Sequence, residues 1–241
     1  MSPKHFLHIL FVAALAHATP ASLAAPSVVR IEKRKGGWQL MRDGQPYFVK
    51  GAVVGPGGSL DVLQQAGANS IRTHAGRLDE AHRRGFTALV GLPLGNPRQG
   101  FNYADTNKVE QQFNRARDIV RKFRDHPALL FWNLGNEPEI HTTPAQRVPV
   151  WREANRLAEM VKREDPNHPV MVVIGGQYAD MLHDLNEHCP ALDLVGLITQ
   201  RFRNRRREEG HDTGGKLRQA LILQRSGEDD CIHETARVCI V

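Results

Sequence analysis

An amide and a carboxylate, Asn136 and Glu137, stand side by side directly after an apolar run from Ala128 to Leu134. The run has the length of a strand and is apolar at consecutive positions, which is typical of a strand buried on both faces in a parallel sheet. Gly135 and Pro138 close it. Loops at the C-terminal ends of parallel strands carry the reactive groups of α/β barrels. The sequence therefore predicts that a rigid buried strand presents Glu137 as a reactive carboxylate.

The elements that must position this strand alternate between strand and helix patterns. Five further strand-length segments are predicted, at residues 47–54, 69–73, 87–92, 170–174 and 192–198. The helices predicted between them are one capped by Ser59, one at 78–84, one opened by a capping box of Asn107 and Glu110, one opened by Pro149 and one at 180–186. This rhythm predicts parallel βα units, preceded by a short antiparallel lead-in over residues 26–47.

The segment 126–138 reads His-Pro-Ala-Leu-Leu-Phe-Trp-Asn-Leu-Gly-Asn-Glu-Pro and resembles the fourth strand of the retaining glycoside hydrolases of clan A. It is most similar to glycoside hydrolase family 2, the β-galactosidase and β-glucuronidase group, whose catalytic domain is a TIM barrel. The segment 42–51 resembles that family's entry into its barrel, and the whole resemblance covers about residues 38–198. It implies that Glu137 is the general acid/base and that Asn136 contacts the 2-hydroxyl of the sugar.

Two more polar residues follow the second predicted strand. The segment 69–74, Asn-Ser-Ile-Arg-Thr-His, is similar to the family's second-strand motif, whose Arg lies near the nucleophile and whose His lines the sugar site. The resemblance implies these roles for Arg72 and, more weakly, for His74, because the Tyr-Pro that often follows in the family is absent here. On spacing alone, both are equally well explained as ordinary polar residues at the end of a strand.

The loop at residues 93–106 is rich in Gly, Pro and Asn and carries Phe101 and Tyr103. Aromatic rings in such a loop either stack on the apolar face of a sugar or pin the loop down. We favour the second interpretation for this pair.

A second carboxylate is needed for the chemistry that the resemblance implies. Retaining glycoside hydrolysis uses two carboxyl groups about 5–5.5 Å apart, one of which attacks the sugar while the other protonates the departing oxygen. The family carries its nucleophilic Glu at the end of the seventh strand, and no position of this sequence matches it. The remaining late acids follow no apolar strand and are assigned no role: Glu208, Glu209, Glu228 and Glu234. Glu139, close to Glu137, is predicted to be solvated.

Composition excludes several classes of protein. The 241 residues are 41% hydrophobic and 24% charged, as in an ordinary globular domain, and they are few for a complete (β/α)8 barrel of about 250 residues. Three cysteines, none before Cys189, do not organise a disulfide framework. No Cys-x-x-Cys spacing or histidine cluster predicts a metal, and no cofactor is predicted.

The first 25 residues are predicted to be a secretory signal. Lys4 and His5 form a weakly basic start, residues 6–16 an apolar core, and residues 21–25 a small-residue cleavage region. The apolar core is shorter than the roughly 20 residues of a membrane span. An uncleaved anchor and an apolar helix are the alternatives, but we expect a secreted or periplasmic protein.

The chain changes character after residue 198. Residues 200–210 are charged and aperiodic, and the only apolar patch beyond them is 217–223, so no seventh or eighth strand is predicted. Such an ending is what a frameshift or truncation would produce.

The predicted fold is therefore an incomplete α/β (β/α)8 TIM barrel of about six strands. Its divisions are a signal peptide at 1–25, a β lead-in at 26–47, a partial barrel at 48–198 and an irregular basic tail at 199–241. An open barrel exposes two sheet edges, so we expect aggregation or binding of a hydrophobic dye.

The sequence thus predicts a β-linked glycoside as the partner and its hydrolysis without cofactor or metal as the function. The alternative is an inactive carbohydrate-binding remnant of such an enzyme, because the nucleophile is missing. A third interpretation is nucleic-acid binding through the arginines of residues 201–207, which account for most of the formal charge of +6. It is disfavoured because Phe202 is the only aromatic residue among them. No nucleic-acid partner, membrane span or oligomeric state is predicted.

Overall fold

The computed structural model describes residues 26–35, 37–55, 57–175, 179–199, 220–224 and 237–240. The predicted signal at 1–25 and the arginine run at 201–207 lie outside these residues. So do the four late acids of the sequence analysis, Glu208, Glu209, Glu228 and Glu234.

A three-stranded antiparallel sheet leads into the barrel, as the sequence predicts. Its strands are β1 (Val29–Arg34), β2 (Gly37–Arg42) and β3 (Gln45–Pro46), in that order. Asp43 and Gly44 join β2 to β3 with φ values of 52° and 76°. Two successive left-handed residues are what the tightest hairpin turn requires, and the Asp-Gly pair supplies them.

Six parallel strands follow in chain order, each paired with the next, and this confirms the predicted parallel units. They are β4 (Lys50–Val53), β5 (Ser70–Thr73), β6 (Thr87–Leu92), β7 (Leu129–Asn136), β8 (Val170–Gly175) and β9 (Leu194–Thr199). The α-helices of the described chain are α1 (Leu60–Gln65), α2 (Leu78–Arg83), α3 (Thr106–Phe123), α4 (Pro144–Glu164) and α5 (Ala179–His188).

Two short strands lie in the tail, where the sequence predicts none. The first, β10 (Ala220–Gln224), pairs antiparallel with β9, and β11 (Arg237–Ile240) pairs antiparallel with β10 and parallel with β4. Together they close the sheet into a ring of eight strands. Both edges of the six-stranded sheet therefore have backbone partners, contrary to the two exposed edges that the sequence predicts. Strand pairing uses main-chain groups that every residue but proline carries, so short segments complete a sheet without a strong sequence pattern.

Two predicted helix starts are wrong. Helix α3 is capped by Asp105, whose carboxylate accepts from the Lys108 N–H at 3.1 Å, and Asn107 lies inside the helix. Helix α4 begins at Pro144 after a capping box of Thr143 and Gln146, and Pro149 lies within it. A proline there removes one helical hydrogen bond, and packing of the long apolar face of α4 overrides that loss.

The core has two layers separated by the strands. Along β8, Val170, Val172 and Ile174 belong to the outer cluster beneath the helices, while Met171 and Val173 belong to an inner cluster. The inner cluster combines strand residues with Val29 and Leu40 of the lead-in and with Val49, which directly precedes β4. Burial on both faces explains why the strands are apolar at consecutive positions.

Candidate active site

The chain leaves β7 through a backbone turn that carries Glu137. Gly135 has φ 75° and Glu137 has φ 48°, so both residues flanking Asn136 are left-handed. A left-handed residue other than glycine costs about 1–3 kcal/mol, and such residues are concentrated at functional sites. The pairing of β7 with β8 also shifts register between Asn133 and Asn136, as a β-bulge does. The Glu137 N–H still donates to the carbonyl of residue 173 at 2.7 Å, which ties the turned residue to β8.

A hydrogen-bond network joins three of the predicted site residues. The Nη2 of Arg72 donates to Oδ1 of Asn136 at 2.6 Å, and Nδ2 of Asn136 donates to Oε2 of Glu137 at 3.3 Å. Because a guanidinium only donates, it fixes which end of the Asn136 amide faces Glu137. The second N–H of Nδ2 has no hydrogen-bond partner in the part of the chain that the structure describes. It is therefore available to a ligand.

Strand geometry places this network at the C-terminal end of the sheet. Ile71 belongs to the outer cluster, so the alternation of side chains along β5 puts Arg72 on the inner face. Burial lowers the pKa of the Arg72 guanidinium, and the negative charge of Glu137 opposes this shift. Arg72 is thus a half-buried cation that holds Asn136 in place and faces the charge of Glu137.

Glu139 is buried, and the prediction that it is solvated is wrong. Its side chain has 1% relative exposure, and Oε1 accepts from the Gly175 N–H at 2.7 Å. Oε2 is buried without a hydrogen-bond partner among the described residues. Burial raises the pKa of the Glu139 carboxyl, the charge of Glu137 raises it further, and the backbone hydrogen bonds and Arg147 act in the opposite direction. No sequence signal marks this residue, because its partner lies on another strand.

His74 lies at the exit of β5 but outside the network. Its side chain is exposed, and no hydrogen bond joins it to Arg72, Asn136 or Glu137 in the described structure. Its carbonyl accepts from the Arg77 N–H at 3.1 Å and begins the turn into α2. The structure thus brings three of the four predicted site residues into one network and leaves His74 at its margin.

The loop after β6 supports the site through its own packing. The rings of Phe101 and Tyr103 meet edge to face with centroids 4.9 Å apart, and the Tyr103 hydroxyl donates to the Gly95 carbonyl at 2.6 Å. From the same loop, Leu94 lies against Gly135, where an added Cβ would be 3.4 Å from its side chain. These contacts agree with the interpretation that the aromatic pair pins the loop down.

Two features are absent from the part of the chain that the structure describes. No group of three or more His, Cys, Asp or Glu side chains there has the geometry to hold a metal ion. No helix in the same residues is long and apolar enough to cross a membrane. Glu139 is too deeply buried to attack a sugar, so the described residues assign no nucleophile to Glu137.

Comparison with known sequences identifies relatives of the barrel. Residues 78–204 match the family model described as glycosyl hydrolases family 2, TIM barrel domain. A probable mannan endo-1,4-β-mannosidase F of Aspergillus oryzae is 31% identical over 93 residues, covering 39% of this chain and 19% of the relative. A β-glucuronidase of Paenibacillus borealis is 29% identical over 128 residues, covering 47% of this chain and 20% of the relative. The chain thus spans about a fifth of the length of these two relatives.

Solved structures share the fold at low sequence identity. A β-glucuronidase of Bifidobacterium dentium, complexed with coumarin-3-O-glucuronide, superposes with a TM-score of 0.53 at 19% identity, covering 75% of this chain and 31% of that one. A β-D-glucuronidase of Dictyoglomus thermophilum gives a TM-score of 0.52 at 19% identity, covering 71% and 32%. These likenesses support the barrel architecture.

Proposed function

This chain belongs to glycosyl hydrolases family 2, TIM barrel domain, and from that membership we propose that it hydrolyses an O-glycosidic bond with Glu137 as general acid/base. The observation that carries the proposal is the network at the C-terminal end of β5 and β7. There Arg72 orients Asn136, and Asn136 donates to Glu137. In α/β barrels this end of the strands is where catalytic groups stand.

Each member of the network has a separate task in the proposed reaction. Glu137 gives a proton to the departing glycosidic oxygen and later takes one from water. The spare N–H of Asn136 donates to the 2-hydroxyl of the sugar, in a hydrogen bond that strengthens in the transition state. Arg72 prevents the amide from flipping, so that the donor stays aimed at the ligand.

The nucleophile is the unassigned part of this mechanism. Retention requires a second carboxylate about 5–5.5 Å from Glu137, and the buried Glu139 does not serve. This observation favours a second candidate function, a carbohydrate-binding remnant that keeps the Arg72–Asn136–Glu137 network and has lost turnover. The two functions predict the same ligand and differ only in whether the bond is cleaved.

The proposed substrate class is a β-linked glycoside. The relatives named above are β-glucuronidases and a probable endo-1,4-β-mannosidase, so aryl β-glucuronides and aryl β-mannosides are the first substrates to test. Export to the periplasm or the medium, proposed from the sequence of residues 1–25, would give the protein access to such glycosides.

The test compares the full chain with Glu137→Gln and with a matched control. Removing a general acid/base lowers turnover of an aryl glycoside by about 10²–10⁴-fold. Glu187→Gln is the control, because Glu187 is an exposed acid near the C-terminal end of α5, at the opposite end of the barrel from β7's exit. Wild-type activity in Glu137→Gln would refute the assignment. Sugar binding without turnover in the wild type would refute the hydrolase and support the binding remnant.

A further inference from the structure

Glu139 is an acid in a place where acids are rarely found. Its side chain is 1% exposed, and no Lys, Arg or His forms an ion pair with it within the described residues. Asp and Glu are almost never fully buried unless they are paired. The buried carboxyl of Glu139 therefore needs a structural explanation, and its hydrogen bond to Gly175 supplies one.

The hydrogen bonds between β7 and β8 show what the Glu139 side chain replaces. In a parallel ladder, one residue donates its N–H and accepts through its C=O along the same neighbouring strand. The Glu137 N–H donates to the Val173 carbonyl, so the next bond of the ladder would run from the Gly175 N–H to the Glu137 carbonyl. Instead, the Gly175 N–H donates to Oε1 of Glu139 at 2.7 Å, and the Glu137 carbonyl accepts from the Ile140 N–H at 3.3 Å.

We propose that Glu139 is a positioning residue for Glu137, whose carboxyl group takes over the ladder bond that the Glu137 carbonyl gives up. The exchange allows the main chain at Glu137 to turn to φ 48° while the loop stays fastened to the end of β8. The catalytic meaning of this position rests on the proposed function of Glu137.

The loop after Glu139 fixes the main chain of this residue, from which the side chain reaches Gly175. The Glu139 carbonyl accepts from the Thr142 N–H at 3.1 Å and from the Thr142 hydroxyl. Nη1 of Arg147, from the first turns of α4, donates to the Thr142 carbonyl at 3.0 Å. Glu139 is thus fixed on one side by its own turn and on the other by Gly175. Burial raises the pKa of its carboxyl, which favours the neutral form and limits repulsion of the Glu137 charge.

Two substitutions in the full chain separate the hydrogen bond from the charge. Glu139→Gln keeps an oxygen at the length needed to accept from Gly175 and removes the charge. Glu139→Asp keeps the carboxyl group but is one methylene too short to reach it. If Glu139 acts through its hydrogen bond to Gly175, the Glu139→Gln variant behaves like the wild type and the Glu139→Asp variant does not.

The first readout is amide hydrogen exchange at Gly175, measured without substrate. Loss of one hydrogen bond is expected to speed exchange of this amide by about tenfold in Glu139→Asp and to leave it nearly unchanged in Glu139→Gln. Unchanged exchange in the Asp variant would overturn the positioning role, whatever the activity of the protein.

The second readout is turnover of an aryl β-glycoside. Misplacement of a catalytic group by about 1 Å lowers the reaction rate roughly 10²-fold. We therefore expect Glu139→Asp to lose about that factor in kcat with little change in KM, and Glu139→Gln to keep the wild-type kcat. Loss of turnover in Glu139→Gln together with wild-type turnover in Glu139→Asp would overturn positioning in favour of a role for the charge. Absence of turnover in the wild type would refute the proposed hydrolase alone, because the Gly175 exchange still reports on Glu139.

Discussion

Substitution of Gly135 tests whether the backbone turn after β7 positions the side chains of Asn136 and Glu137. Gly135 precedes Asn136 and has φ 75°. Alanine in the left-handed region costs about 1–2 kcal/mol. The added Cβ would lie 3.4–3.5 Å from Leu94, which is ordinary contact, so the cost of Gly135→Ala is almost entirely backbone strain. We expect the melting temperature to fall by about 2–8 °C.

A matched control for this strain exists in the same chain. Gly85 follows α2, has φ 76°, and an added Cβ there would meet nothing within 4 Å. Gly85→Ala should therefore destabilise the fold by a similar amount. It lies at the N-terminal side of β6, away from the exit of β7, so its effect on the site should be small.

The assay is a thermal melt together with turnover of an aryl β-glycoside, or sugar affinity if the wild type does not turn over. Gly135→Ala relieves its strain by shifting Asn136 and Glu137, and we expect about a 10²-fold loss of kcat/KM or a matching loss of affinity. Gly85→Ala should keep wild-type function at the same loss of stability. Equal function in the two variants would refute the claim that the left-handed turn positions the site.

Three further predictions follow from the described contacts. Arg72→Lys keeps the charge but not the planar donor that binds Asn136, so kcat/KM on an aryl glycoside should fall by about 10–100-fold and the melting temperature should fall as well. Because the pKa of Glu139 is raised in the fold, its stabilising contribution is complete below the ordinary glutamate pKa of about 4.3 and is lost as the pH rises through the raised value. Urea titrations across that range should show the wild type losing stability relative to Glu139→Gln, and parallel curves would contradict the shift. Asp165→Ala removes the acceptor of the Trp132 indole N–H, which lies 2.7 Å from Oδ2, and should lower the free energy of unfolding by about 2–4 kcal/mol in the same titration.

The strands could be predicted because their signals are local, whereas the roles expected of Arg72, Asn136 and Glu137 came from the resemblance to glycoside hydrolase family 2. A strand buried on both faces must be apolar at nearly every position, and the run that ends before Asn136 shows this directly. Parallel strands align their C-terminal ends at one edge, which places Arg72 and Asn136 on the same edge of the sheet. In the structure a direct hydrogen bond joins the two side chains.

Glu139 could not be predicted for the opposite reason. A Glu directly after a proline in a turn is usually exposed, whereas the buried Glu139 accepts a hydrogen bond from Gly175, which lies 36 residues along the chain. The start of α4 was missed because Pro149 is a strong local signal for a first helical turn. The capping box of Thr143 and Gln146 places the start five residues earlier. Packing of the apolar face of α4 offsets the hydrogen bond that Pro149 removes. Where long-range packing competes with a local signal, the sequence of one chain does not show which prevails.

A second polar network has the residue types of a nucleophilic site but lies at the other end of the barrel from Glu137. Oγ of Ser27 lies 3.0 Å from Nε2 of His168, and Nδ1 of His168 lies 2.8 Å from Oδ2 of Asp165, distances that would suit a nucleophilic triad. All three residues are buried, and the Ser27 hydroxyl lies 2.8 Å from the carbonyl of Leu129, the first residue of β7. A hydroxyl has one proton, so donation to that carbonyl leaves none for His168 to remove. This network fastens the lead-in to the N-terminal end of the barrel, about 26 Å along β7 from Glu137. The proposed site lies at the other end of the same strand.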